Sequence, residues 1–237
     1  MWIAYKTIVV KEILRFTRIW VQTIFPPVIT TSLYLLIFGG LMGERIGDMQ
    51  GVDYLHFIIP GIILMTVIQN SYANTVSSFF LAKFNNSIEE LLISPVSYWV
   101  ILLGYISGGI VRGFVVGLGV FIAVSFFVEL QIYNIWIVLM TFLLTAILFS
   151  LAGFINAVFA KSFDDISIVP TFILMPMTYL GGIFYSVEIS PEFWQTLSKF
   201  NPIYYMVDSF RMGFLGSSTT DLLVSMLVLT TMIMVLA

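Results

Sequence analysis

The run LQIYNIWIVLMTFLLTAILFSLAGFINAVFA, residues Leu130–Ala160, contains no Asp, Glu, Lys or Arg. A helix needs about 20 predominantly apolar residues to cross the hydrocarbon core of a bilayer. Three more charge-free runs are long enough to do so, at Ile19–Gly43, Tyr54–Ala82 and Ile166–Val187. The sequence therefore predicts an integral membrane protein built from helices.

The composition excludes most other classes of protein. Of the 237 residues, 59% are apolar and 10% are charged, whereas soluble domains are about half apolar and about a quarter charged. A soluble fold of this length could not hide so many apolar side chains. A single histidine and no cysteine nearly exclude zinc, iron–sulfur, disulfide and thiol chemistry. The net charge of −3 is spread over short loops, so no tail is typical of nucleic-acid binding.

Six spans are predicted for this all-α, polytopic membrane protein. Their approximate bounds are 20–42, 54–80, 98–128, 132–160, 166–186 and 221–237. The final stretch, Leu222–Ala237, rises only about 24 Å, against a hydrocarbon core of about 30 Å. We therefore expect the sequence to be truncated within its last helix. Pro170 and Pro176 are expected to kink the fifth span.

Basic residues near the ends of the spans predict the orientation. The loops that would lie inside hold Lys6, Lys11, Arg15, Arg18, Lys83 and Lys161, and those outside hold Arg45, Lys199 and Arg211. The bias of six against three predicts a cytoplasmic N-terminus.

The N-terminal segment 2–19 is predicted to be an amphipathic helix on the inner membrane surface. One face would carry Trp2, Val9, Ile13, Phe16 and Trp20, and the opposite face Lys11, Arg15 and Arg18. An apolar stripe with a basic back suits the lipid interface. A plain topology anchor and a docking surface for another protein both explain the pattern.

The inner loop at 85–95 is predicted to form a short helix parallel to the membrane. Asn85, Asn86 and Ser87 can cap it, and Glu89 and Glu90 fall in its first turn, where negative charge suits the helix dipole. Leu91, Leu92 and Ile93 form an apolar ridge, and Pro95 ends the turn. A simple connector needs neither caps nor ridge, which favours a protein-docking role.

The third span carries a single charge, Arg112, beside glycines at four-residue spacing. Such glycines let another helix approach closely. An arginine inside a span is costly unless it pairs, snorkels or faces a wet cavity. Arg112 is therefore a candidate for the transport pathway or for a structural pair.

Two short outer helices are predicted within 191–214, at the membrane surface or dipping into it. Pro191 and Trp194 belong to the first, Asn201 and Pro202 break the chain, and the second carries Tyr205, Asp208 and Arg211. An aromatic belt at the interface explains the aromatic residues but not the two separate helices.

Motifs for chemistry within the chain are absent from the sequence. It contains no GxxxxGK[ST] phosphate loop, no HExxH and no GxSxG. Every acidic residue lies at or beyond a predicted span end, unlike the carboxylates that ion-coupled carriers keep inside the membrane. If the protein moves a substrate, the energy must come from elsewhere.

These features together resemble the ABC-2 type transporter permeases over essentially the whole chain. The motifs that carry the resemblance are Gly181–Tyr185, Pro191-x-x-Trp194, Asn201-Pro202-x-x-Tyr205, Asp208-x-x-Arg211, Asn86–Pro95 and Ala160–Ser167. The family's basic inner tail after the last span has no counterpart here.

The resemblance implies the permease subunit of an ABC exporter in the inner membrane of a bacterium. It implies a homodimer of six-span subunits, with ATP and Mg²⁺ bound by separate cytoplasmic ATPase subunits and no cofactor in this chain. Segment 2–19 becomes the connecting helix, with Lys11, Glu12, Arg15 and Arg18. The family's ATPase-coupling helix falls on 85–95, with Asn86, Ser87, Glu89, Glu90, Leu91, Leu92, Ser94 and Pro95. A membrane scaffold or assembly factor that does not transport is the alternative.

Overall fold

The computed structural model describes the backbone of residues 1–43 and 47–237 and the side chains of residues 1–39 and 47–237. The predicted outer charge at Arg45 lies outside the described residues. The helices are α1 Trp2–Thr17, α2 Trp20–Leu35, α3 Tyr54–Phe84, α4 Ser87–Ile93, α5 Tyr98–Ser125, α6 Ile135–Phe159, α7 Phe163–Val169, α8 Met175–Leu180, α9 Glu192–Lys199, α10 Pro202–Leu215 and α11 Leu222–Leu236.

Four of these helical segments are long and apolar enough to cross a membrane. They are Trp20–Gly39, Tyr54–Phe84, Tyr98–Ser125 and Ile135–Phe159. The two other predicted spans correspond to the interrupted segment α7–α8 and to the shorter apolar helix α11. The chain is thus an all-α membrane protein, and the count of six spans stays a prediction.

Helix α3 is the centre of the fold. It packs against both α5 and α6 and is buried along most of its length. Glycines on its neighbours permit this contact. A β-carbon on Gly153 of α6 would lie only 2.6 Å from the backbone oxygen of Tyr72. Helices of this fold therefore touch backbone to backbone, as small residues allow in membranes.

Proline interrupts the fifth predicted span, as expected at Pro170. A π-helical turn, Pro170–Leu174, separates α7 from α8. The N-terminus of α7 is closed by a capping box in which the Ser162 hydroxyl accepts from Asp165 N, and the Asp165 carboxylate accepts from Ser162 N. A second π turn, Leu36–Gly43, extends α2.

A two-residue hairpin before α3 was not predicted. Strands β1 Asp48–Met49 and β2 Val52–Asp53 pair antiparallel. Gln50 and Gly51 make the turn with positive φ of 54° and 79°. Asp53 then caps α3 by accepting from Leu55 N at 3.1 Å.

The two sides of the molecule can be told apart by contacts at the ends of α3. The start of α3 lies beside the segment before α9, because Tyr54 Oη donates to Phe184 O at 3.0 Å. The end of α3 leads directly into α4. We call these the α9 side and the α4 side.

The two predicted outer helices differ sharply in burial. On α9, Phe193 and Phe200 are exposed, as expected of a surface helix. Helix α10 is instead buried against α3 and α6, with Ile203, Met206 and Val207 inside the core. The polar residues of α10 find partners within the protein. That the two helices lie at the membrane surface or dip into it stays a prediction.

Candidate functional site

Helix α4 presents an acidic and apolar surface on the α4 side. Glu89, Glu90 and Leu92 are exposed, and Ile93 is 86% exposed. Leu91 is half-buried and Pro95 exposed. The N-cap is Asn86, which holds φ at 59° and makes no side-chain capping bond.

The other face of α4 is fastened to the end of α3. Ile88 is buried, and Ser87 Oγ donates to Ala82 O at 3.1 Å. Ser94 Oγ donates to Leu91 O at 2.6 Å and closes the last turn. The helix is therefore held from one side and free on the other.

Lys83, at the end of α3, joins α3 to α6 beside this helix. Its Nζ donates to Val158 O at 2.6 Å and to Ala160 O at 2.8 Å. These carbonyls lie at the C-terminal end of α6, where a cation is favoured by the helix dipole. In the sequence, Lys83 contributes only to the predicted orientation.

Helix α1 buries one face against α5. Ile8, Glu12 and Phe16 are buried, whereas Trp2 is 73% exposed. Glu12, which is fully buried, packs over Gly108 of α5, and Ile8 packs over Gly104. Of the predicted apolar stripe, Phe16 is buried, whereas Trp2 and Trp20 are exposed. The position of the stripe at the lipid interface stays a prediction.

A polar clasp of four residues joins α1 to α3. Arg15 Nη2 donates to the Asn74 side-chain oxygen at 2.7 Å, to Asn74 O at 3.0 Å and to Glu12 Oε2 at 3.3 Å. Ser78 Oγ donates to Glu12 Oε1 at 2.5 Å. Arg15 therefore faces the protein, unlike Arg18, which is exposed. Lys11 is also exposed, but its Nζ lies 5.7 Å from the centre of the Tyr105 ring.

Arg112 lies beside this clasp on α5. It is partly exposed, and its Nε is buried with no acceptor among the described residues. Gly108, one helical turn before Arg112, packs against Glu12 and Asn74 of the clasp. The structure thus brings Glu12, Arg15 and Arg112 together, with two positive charges for one negative.

The charged residues on α10 do not form the ion pair that their spacing suggests. Arg211 donates to Phe57 O at 3.2 Å and to Gly182 O at 2.9 Å, and its guanidinium lies 3.6 Å from the Phe57 ring centre. Asp208 accepts from the backbone and hydroxyl groups of Thr219 and Thr220. Each therefore fixes a different loop on the α9 side.

The remaining outer residues of the predicted set have structural contacts. Asn201 caps α10 by accepting from Ile203 N at 3.0 Å, and it donates to Met177 O at 2.6 Å. Tyr205 Oη donates to Lys199 O at 3.0 Å. Pro202 occupies the first turn of α10, and Trp194 is partly exposed on α9.

The polar partners on α3 were missed by sequence analysis. Asn74 and Ser78 are four residues apart, so they share one face of a helix, and this spacing was the available signal. Nothing in the sequence assigned that face to α1. The contact became visible only when the fold placed α1 beside α5.

Comparison with known proteins gives a consistent picture. The family model of the ABC-2 type transporters matches residues 3–215. The inner membrane transport permease YadH of Escherichia coli K12 is 56% identical over 98% of this chain and 91% of its own length. Nodulation protein J of Rhizobium leguminosarum bv. trifolii is 23% identical over 80% of this chain and 72% of its own. Nodulation protein J of Rhizobium meliloti is 22% identical over 87% of this chain and 79% of its own length. A family match over most of the chain, on a helical fold with four apolar helices of spanning length, shows that the chain belongs to the ABC-2 type transporter family, as a membrane transporter subunit.

Proposed function

We propose that this chain is the permease subunit of an ABC exporter, driven by a separate cytoplasmic ATPase that docks on α4 and α1. The observation that carries the proposal is the one-sided attachment of α4. One face is held by Ser87 and Ile88, while Glu89, Glu90 and Leu92 remain exposed. A surface that is both acidic and apolar suits a protein partner better than lipid.

Helix α3 supports the proposal as the route by which docking would affect the membrane part. The α1 clasp grips α3 at Asn74 and Ser78, and α4 follows the end of the same helix. Ser78 and Phe84 are about 9 Å apart along the axis. Movement of either docking element therefore acts on the central helix of the fold.

The orientation follows from the same assignment. The α4 side faces the cytoplasm with the N-terminus, in agreement with the excess of basic residues there. The membrane is the bacterial inner membrane, the location named for the YadH relative. Two copies form the pathway, which accounts for the apolar surface left on α2 and on Phe172 and Tyr179.

Charge reversal on α4 tests the docking. In the double variant Glu89→Arg and Glu90→Arg, we expect the partner ATPase to be lost on co-purification, while the permease still inserts. The matched control is Glu192→Arg, an exposed first-turn acid on α9, which should keep the ATPase. Undiminished co-purification with the double variant contradicts the assignment of α4.

The scaffold alternative is separated by activity. A permease–ATPase pair in liposomes should hydrolyse ATP, and the rate should respond to amphiphilic or lipid substrates. A scaffold would leave ATP hydrolysis unchanged whether or not this chain is present.

A further inference from the structure

We propose that Arg112 and Arg15 form a binding site for a phosphate-bearing anion, the headgroup of an acidic phospholipid in the leaflet on the α4 side. The assignment of that leaflet to the cytoplasm rests on the proposed function. The binding site itself does not.

The cluster around Arg15 and Arg112 has fewer hydrogen-bond acceptors than buried donors. Three buried nitrogens have no hydrogen-bond partner among the described residues: Arg15 Nε, Arg112 Nε and Asn74 Nδ2. Buried donors are nearly always paired in folded proteins. Glu12 is the one carboxylate in the cluster, and its oxygens bond to Arg15 Nη2 and Ser78 Oγ and not to these three nitrogens. The described residues therefore supply no hydrogen-bond acceptor to these three donors.

Two guanidinium groups and one carboxylate leave the cluster with an excess positive charge in a largely buried setting. Two like charges that share one counter-charge destabilise each other. An oxyanion between them would remove the repulsion and accept several hydrogen bonds, and guanidinium groups suit phosphate oxygens by their fork geometry.

The depth of the cluster in the membrane is compatible with a lipid headgroup. From Tyr54 to Asn74, α3 rises about 30 Å, which matches the hydrocarbon core of a bilayer. If α3 enters the membrane at Tyr54, behind its Asp53 cap, Asn74 reaches the opposite headgroup level. Arg112 lies at nearly the same height, since Ser71 packs on Gly113 and Asn74 on Gly108. On this placement Arg112, beside Gly113 at the level of Ser71, lies about 5 Å inside the headgroup level. A guanidinium on its long side chain can bridge that distance by snorkelling.

A lipid headgroup has access to the cluster. Arg112 and Arg15 are both partly exposed, and Arg15 bonds to Asn74 on α3. A headgroup can therefore reach the site from the lipid without opening the protein. The exposed Lys11 and Arg18 on α1 add positive charge at the same membrane face, which attracts acidic lipids.

Lipid retention tests the site in the full-length chain. The purified, delipidated protein is mixed with phosphatidylglycerol or phosphatidylcholine, and bound lipid is counted by native mass spectrometry. We expect phosphatidylglycerol to be preferred about tenfold or more, as loss of a charged hydrogen bond implies. Arg112→Gln should abolish the preference, and Arg112→Lys should keep most of it. Lys199→Gln, an exposed lysine of α9 on the other side of the protein, should leave it unchanged.

Two results would overturn the proposal. One is equal retention of both lipids by the unmodified chain, which requires no variant to fold. The other is a preference that survives Arg112→Gln. Inorganic phosphate is the third arm: if it alone raises the thermal midpoint and phosphatidylglycerol adds nothing, the ligand is a soluble anion and not a lipid. None of these measurements uses the ATPase, so their outcome is independent of the proposed function.

Discussion

Ser78 donates a hydrogen bond of 2.5 Å to Glu12, a residue 66 positions earlier in the chain. Glu12 is fully buried and also contacts Arg15, which in turn bonds to Asn74. Helix α1 is therefore attached to the protein by charge and not only by apolar contact. This attachment makes α1 sensitive to single substitutions.

Replacing Glu12 with Gln should lower the thermal midpoint of the purified protein. The amide keeps the shape but leaves the Arg15 guanidinium without its counter-charge in a largely buried position. We expect a loss of about 3 kcal/mol, measured by thermal unfolding in detergent. Glu89→Gln, on the exposed face of α4, is the control and should change stability by less than about 0.5 kcal/mol. Equal midpoints for both variants would mean that the clasp contributes nothing.

Replacing Gly153 with Ala should separate α6 from α3. The new β-carbon would lie 2.6 Å from Tyr72 O and 3.3 Å from Val76 N, and backbone atoms cannot rotate away. We expect a cost of about 1–3 kcal/mol in the same unfolding measurement. Gly119→Ala is the matched control, because its β-carbon would meet only a methyl group of Ile24 at 3.2 Å. A neutral result at Gly153 would refute the close helix contact.

Cysteine labelling should distinguish α9 from α10. The chain contains no cysteine, so single substitutions report cleanly. Phe193→Cys on α9 should react with a membrane-impermeant thiol reagent added from the α9 side, because Phe193 is 71% exposed. Met206→Cys on α10 should be protected, since Met206 is fully buried. Comparable labelling at both positions would show that α10 leaves the core.

The capping box at α7 should give a pH-dependent contribution to stability. The backbone N–H of Lys161, followed by Ser162, holds the pKa of Asp165 below its usual value of 3.8. A carboxylate with a lowered pKa stabilises the fold above its unfolded-state pKa, and this effect is lost as pH falls through the lower, folded-state value. Asp165→Asn should therefore have a lower midpoint than the parent chain near neutral pH and approach it in strong acid.

The control for this pH series is Asp164→Asn. Asp164 accepts no hydrogen bond among the described residues, so its substitution should give a small difference that does not vary in the same way. A gap between Asp165→Asn and the parent that is constant from pH 7 to strong acid would exclude the charged cap.

Helix positions could be predicted from the sequence because their signals are local. Charge-free runs give the spans, and caps such as Asn201 give the breaks. The start of α3 at Tyr54 and of α5 at Tyr98 agree with the predicted bounds. The docking role of α4 remains a prediction, although its exposed face agrees with it.

The orientation of helix faces could not be predicted, because it depends on partners distant in sequence. Arg15 is basic and lies on an amphipathic helix, which by itself favours the headgroups. Only the presence of Asn74 on a neighbouring helix makes the inward position favourable. The same holds for Arg211, whose acceptors Phe57 O and Gly182 O come from two other segments.

The bridge from Lys83 to the end of α6 has a mechanical consequence. Because this single ammonium group joins the ends of α3 and α6, a load applied at α4 is shared between both helices at once. We expect α3 and α6 then to move together as one rigid unit and not to bend separately. Deformation is left to the weaker joints outside that unit, and the π turns Leu36–Gly43 and Pro170–Leu174, whose hydrogen-bond ladders are already irregular, are the joints that we expect to yield.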